Sequence, residues 1–142
     1  MAELPSGFIV HHTALAVRDM DASTRALSRL DYVSAPDYPD IVVDEQLGVR
    51  LRFLIPRAGG ILLELVEDIG ERGPVAKILQ RNGVTLYHLC FEVPDLAASA
   101  ELLQRDGYLA VSKKMPAAAF GGRLIQFLYH KDSGLVELLS AS

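Results

Sequence analysis

Leu86-Tyr87-His88-Leu89-Cys90-Phe91-Glu92-Val93 is a strand-like run whose one histidine sits among alternating apolar residues. The chain carries nearly the same run earlier, at His12-Thr13-Ala14-Leu15-Ala16-Val17. An offset of 76 residues lays His12 on His88, Val17 on Val93, Asp19 on Asp95 and Ala22 on Ala98. The same offset matches Ser23 with Ser99, Leu27 with Leu103, Arg29 with Arg105 and Tyr32 with Tyr108. So many identities at one spacing make an internal repeat. Glu64 in Leu63-Glu64-Leu65 has its counterpart at Glu137 in Val136-Glu137-Leu138, at an offset of 73, so the second copy is shorter by three residues. A long repeat present only twice reads as a duplicated half-domain rather than a solenoid.

The 142 residues fit one domain, large enough to bury a core without disulfide or metal support. With 50% hydrophobic and 23% charged residues the chain is globular rather than disordered. A net charge of −4, with no basic stripe on any expected helix, speaks against nucleic acid as a partner. The one cysteine closes no disulfide within the chain, and the N-terminus lacks the pattern of a signal peptide. The apolar runs are too short to span a bilayer. The expected setting is cytoplasmic, away from membranes.

Residues 1 to 7 read as a patternless arm. Strand Phe8 to Val17 passes to a helix at Asp19, an N-cap residue ahead of Ala22, Ala26, Leu27 and Leu30. The turn-rich Ser34 to Asp40 has a strand expected on either side. Val49-Arg50-Leu51-Arg52-Phe53 alternates strictly, and a turn over Pro56 to Gly60 leads into strand Ile61 to Val66. A connecting helix, with Pro74 at its start and Gly83 at its end, joins the halves. The second half repeats the order. Strand 85 to 93 leads to a helix opened by Pro94 and Asp95 and ended by Gly107. A strand near 108 to 113, a loop over 116 to 122, and a hairpin of 123 to 129 with 134 to 140 complete it. The expected class is α+β, with two βαβββ modules: module one at about 8–67, a linker helix at about 68–83, and module two at about 84–140.

Side chains alternate faces along a strand. Thr13, Leu15 and Val17 therefore share one face, and His12 shares the other with Ala14 and Ala16. Leu89, Phe91 and Val93 face a helix, which leaves His88 on the side of Cys90 and Glu92. Glu64 and Glu137 each fall on the face opposite their apolar neighbours. An ionised carboxylate buried in such a run is costly unless a cation or strong donors compensate it. Read singly, each of the four is an ordinary polar residue of an exposed sheet face, or a core histidine bonded to backbone. Read together, the duplication sets a histidine at the start and a glutamate at the end of each half. Two imidazoles and two carboxylates suit one divalent ion such as Zn, Co, Ni, Mn or Fe.

With these residues in place the chain resembles the vicinal oxygen chelate superfamily, which includes glyoxalase I, methylmalonyl-CoA epimerase, extradiol dioxygenases and bleomycin-resistance proteins. The resemblance covers nearly the whole chain. It implies two βαβββ modules curled as a mixed sheet around a metal-binding cavity, with His12, Glu64, His88 and Glu137 as ligands. The epimerase branch is the nearest look-alike, through Gly73 to Gly83, the run Tyr87 to Val93, and Gly121-Gly122-Arg123 before Phe127. Two departures stand out: Tyr87-His88 replaces the paired histidines common in epimerases, and Glu64 replaces the glutamine of some bacterial members; Arg50-Leu51-Arg52 also stands where bacterial members can carry a second acid. The His/Glu/His/Glu set is also that of glyoxalase I.

The resemblance implies a metal-dependent isomerase or epimerase of a small acyl-CoA or 2-oxo compound. The ion chelates two neighbouring substrate oxygens and stabilises an enolate, and Glu137 is both ligand and catalytic base. Arg50 and Arg52 share the polar face of their strand, either lining the cavity against an anionic substrate or standing in solvent or at a dimer interface. Arg123 has the same two readings. Cys90 reads as a small buried apolar residue, and His11 and His130 as surface or turn residues. The implied partner is a small anionic molecule, with the chain a homodimer. A glyoxalase I-like lyase is the second enzyme reading. A non-catalytic drug- or metabolite-binding protein of the same fold is the third, and retention of all four ligands argues against it.

Overall fold

In the computed structural model, which describes residues 7–71 and 73–141, the two sequence copies fold into the same arrangement. The expected N-terminal arm, apart from Gly7, lies outside the described residues. The first half runs β1 (Ile9–Val17), α1 (Met20–Ser28), β2 (Tyr32–Ser34), β3 (Val42–Asp44), β4 (Val49–Pro56) and β5 (Leu62–Asp68). Helix α2 (Pro74–Asn82) follows. The second half runs β6 (Thr85–Val93), α3 (Leu96–Arg105), β7 (Leu109–Ala110), β8 (Met115–Pro116), β9 (Leu124–His130) and β10 (Gly134–Ser140), with one 3-10 turn at Ala118–Phe120.

Each strand-to-helix junction is set by a local device. Asp19 and Asp95 are extended N-caps, and their carboxylates accept the backbone N–H of Ala22 at 3.1 Å and of Ala98 at 3.0 Å. Pro74 opens α2, where its missing N–H costs nothing, and Gly83 at φ +70° ends it.

The chain forms two compact units, one of His12–Tyr87 and the other joining the start of the chain, through His11, to His88 and beyond. The expected linker helix belongs to the first unit. Its Val75, Ala76 and Leu79 are buried, and Arg18 donates to the Leu79 carbonyl at 3.2 Å. In the first unit β1 and β5 pair in parallel, β4 lies antiparallel to β5, and β2 and β3 share the outer edge of β4. In the second, β6 and β10 pair in parallel, β9 lies antiparallel to β10, and β7 and β8 share the outer edge of β9. Both halves are thus mixed sheets of one topology, with β2 and β3 on either side of the turn-rich segment and β8 a short addition to the expected strands.

One face of each sheet is covered by its helix. In the first unit Val17, Met20, Leu54, Leu63 and Leu65 form that core, joined by Leu15, Leu27 and Tyr32. In the second, Val93, Leu96, Ala100, Leu128, Val136 and Leu138 do so, with Phe8, Phe91 and Leu103 against them. Removing such side chains from water is the main stabilising term, at about 25 cal/mol per Å² of apolar area.

The strand expected near 108 to 113 shortens to Leu109–Ala110, because Ser112 replaces backbone pairing with its side chain. Its hydroxyl accepts the Phe127 N–H at 2.9 Å, and its carbonyl accepts from Gln126 Nε2 at 3.1 Å. No helix among the described residues is long and apolar enough to cross a membrane.

Candidate metal centre

The strand registers carry the histidines and glutamates to the faces away from the helices. In the first unit Glu64 lies beside Ala14 in the parallel ladder, and His12 shares its face two residues away. His12 Nε2 reaches Glu64 Oε1 at 3.5 Å, with the histidine 0% and the glutamate 4% exposed. In the second unit Glu137 lies beside Cys90, and His88 shares its face two residues away. His88 Nε2 reaches Glu137 Oε1 at 3.2 Å, and both are buried. Each unit therefore builds one buried imidazole–carboxylate pair by the same ladder geometry.

A third residue joins each pair. Phe53 stands opposite Glu64 across the β4–β5 ladder, and Phe127 stands opposite Glu137 across β9–β10. Phe53 meets His12 edge-on, with ring centroids 5.9 Å apart at 79°, and Phe127 meets His88 at 5.3 Å and 72°. Sequence reasoning missed this correspondence, because Phe53 and Phe127 are 74 residues apart, between the 76 of the histidines and the 73 of the glutamates. The signal was present as an offset that shrinks along the repeat as loop residues drop out.

Chemically, each pair is a set of borderline nitrogen and hard oxygen donors in a water-poor, aromatic-backed setting. A neutral imidazole and an ionised carboxylate are what Zn, Co, Ni, Mn or Fe take as ligands. A dication also offsets the cost of keeping carboxylates out of water. The residues present fit a divalent metal.

The three arginines fall on different faces. Arg50 and Arg52 do not share the face of His12 and Glu64. Across β4–β5 they stand opposite Glu67 and Leu65, on the helix-covered side. Arg52 reaches α1, donating to Thr24 Oγ1 at 2.9 Å and Asp21 Oδ1 at 3.2 Å, and also to the Asp40 carbonyl at 3.2 Å. Arg50 forms an ion pair with Glu67. The alternation of β4 was legible. Which face meets α1 depended on the pairing with β5, and there the apolar Leu51 and Phe53 go with Glu64.

Arg123 immediately precedes β9. Its Nε donates to the Ser140 carbonyl at 2.8 Å and its Nη2 to Glu92 Oε2 at 2.6 Å. Glu92 shares the strand face of His88 and Cys90, so this pair lies on the ligand-bearing side of the second unit. Cys90 is fully buried beside Glu137. His130 ends β9 at the hairpin, its Nδ1 accepting the Asp132 N–H at 3.0 Å, and His11 packs edge-on against Phe120 at 5.1 Å.

Known proteins similar to this chain are found by sequence and by structure. The ethylmalonyl-CoA/methylmalonyl-CoA epimerase of Cereibacter sphaeroides is 31% identical over 91% of this chain and 95% of its own. The crystal structure of methylmalonyl-CoA epimerase from Mycobacterium tuberculosis, 22% identical, superposes over 100% of this chain and 92% of that one, with a TM-score of 0.79. A Streptomyces coelicolor methylmalonyl-CoA epimerase in complex with 2-nitronate-propionyl-CoA is 26% identical, covers 99% of both chains and has a TM-score of 0.73. The vicinal oxygen chelate fold is thus shared with solved epimerases. A family model described as the Glyoxalase/Bleomycin resistance protein/Dioxygenase superfamily matches residues 11–127, and the chain belongs to that superfamily.

Proposed function

We propose that this protein is a metal-dependent epimerase of a small acyl-CoA, of the methylmalonyl-CoA epimerase kind, with one divalent ion held jointly by His12, Glu64, His88 and Glu137. The observation that carries the reading is the duplicated buried pair, His12 with Glu64 and His88 with Glu137. The epimerase relative at 31% identity over nearly the whole chain supports the same reaction class. When bound, the ion supplies positive charge that stabilises an enolate on the substrate's carbonyl oxygens.

The chain's own residues do the rest. Glu137, flanked along β10 by Val136 and Leu138, takes the proton from the carbon next to the thioester carbonyl, in a setting that strengthens its electrostatic interactions. Reprotonation of the planar enolate on its other face by a proton from water, with Glu137 returning its own proton to solvent, gives the epimer. Arg123, fixed by Ser140 and Glu92, offers its guanidinium to the anionic part of the substrate. Arg50 and Arg52 have no part in this reading, since they stand on the helix-covered face. A homodimer and a cytoplasmic location belong to the same reading, and analytical ultracentrifugation tests the first.

A second reading is a glyoxalase I-like lyase, favoured by one observation: position 64 is a glutamate, which completes a His/Glu/His/Glu set. Two measurements test the proposal. Elemental analysis of protein purified without added metal is compared with His88→Ala and Glu137→Ala. Equal, negligible metal in all three rules out both enzyme readings. Solvent deuterium exchange into methylmalonyl-CoA is then set beside turnover of a hemithioacetal, and the substrate that reacts decides between epimerase and lyase.

A further inference from the structure

The two halves differ in the connection that borders their ligand-bearing faces. In the first unit the connection from β2 to β3 is a seven-residue excursion whose turn Ala35-Pro36-Asp37-Tyr38 is anchored to β4. The Ala35 N–H donates to the Phe53 carbonyl at 3.0 Å, and the Tyr38 N–H closes the turn on the Ala35 carbonyl at 3.3 Å, with Pro36 at the position that favours this geometry. The turn lays the Tyr38 ring on Phe53, with centroids 4.2 Å apart and planes inclined by 27°. Phe53 in turn stands edge-on to His12. In the second half the matching connection from β7 to β8 is Val111-Ser112-Lys113-Lys114, with no aromatic residue. The first copy of the His, Glu and Phe set thus carries a stacked ring from a connection that holds no aromatic residue in the second.

Beneath that ring Phe53 is 2% exposed, while Tyr38 itself remains half-buried. On the face it borders, Ala14 lies beside Glu64 in the ladder, and Leu51 pairs with Val66 two residues further along. From this placement we infer that Tyr38, stacked on Phe53, is the wall that limits the size of the alkyl substituent on the substrate's reacting carbon. The inference rests on the epimerase reading. A flat, anchored ring bounds such a pocket at low entropic cost, and in an apolar pocket one methylene is worth about tenfold or more in discrimination.

The test compares kcat/KM for ethylmalonyl-CoA and methylmalonyl-CoA in the wild type, Tyr38→Ala and Tyr38→Trp, each loaded with the same metal. Tyr38→Ala is expected to raise the ethyl-to-methyl ratio about tenfold, chiefly through KM, and Tyr38→Trp to lower it. Using two variants of opposite size keeps the outcome readable if one folds poorly. If Tyr38 merely props Phe53 and His12, both substrates lose activity in proportion and metal content falls while the ratio stays put. That result overturns the inference and leaves the epimerase reading standing. Failure of the wild type to turn over either substrate sinks both.

Discussion

Glu67 on β5 accepts the backbone N–H of Met20, the first residue of α1, at 2.7 Å through Oε2, while its Oε1 pairs with Arg50. A buried carboxylate thus fixes the start of a helix onto a strand from which it is 47 residues distant. Glu67→Ala removes that acceptor and leaves a helix N-terminal donor in poor contact with water. The expected loss is about 2 kcal/mol of unfolding free energy, read from urea denaturation, with metal content unchanged. An unshifted urea midpoint contradicts the role given to this residue.

The two helix caps behave as independent copies. Asp19→Ala and Asp95→Ala should each cost about 1 kcal/mol, since each removes one side-chain acceptor from a helix N-terminus. The caps sit in separate units, so the double variant should lose the sum. Coupling well beyond about 0.5 kcal/mol in the cycle contradicts that independence.

Joint ligation predicts a stoichiometry. Titration of metal-free protein is expected to reach one equivalent per chain, and His12→Ala or His88→Ala alone should weaken binding by at least the 10–100-fold known for the loss of outer-shell partners. Two equivalents, each abolished by one histidine variant only, means that each pair holds its own ion.

Metal removal should be legible in stability. An ion present at about 100 times its dissociation constant stabilises the folded chain by about 2.7 kcal/mol, so chelation should lower the melting temperature and re-addition restore it. An identical melting curve with and without chelator argues against any ion bound by the folded state.

The arginines separate by face. Arg52→Ala, which strips the contacts to Thr24, Asp21 and Asp40, should cost about 1 kcal/mol of stability and leave KM for the acyl-CoA unaltered. Arg123→Ala should raise KM with little change in stability. A raised KM in Arg52→Ala instead brings that side chain back into the site.

The amino-acid sequence determined everything that depends on near neighbours or on repetition. Strand alternation, the caps at Asp19 and Asp95, the Pro74 helix start and the Gly83 stop are local, and the fixed offset between His12 and His88 by itself reveals the duplication. Tertiary structure decided which face is which. The direction in which Arg50 and Arg52 point follows from the pairing of β4 with β5 and from the helix packed on that side, and alternation within β4 is the same for either orientation. Phe53 and Phe127 were hidden for a related reason: a ladder pairs residues by hydrogen-bond register, while a constant offset breaks wherever one copy has lost loop residues. Tyr38 was legible only as part of a turn. Its stacking on Phe53 arises because the backbone of Ala35 bonds to β4, a contact between segments 18 residues apart that no local pattern encodes.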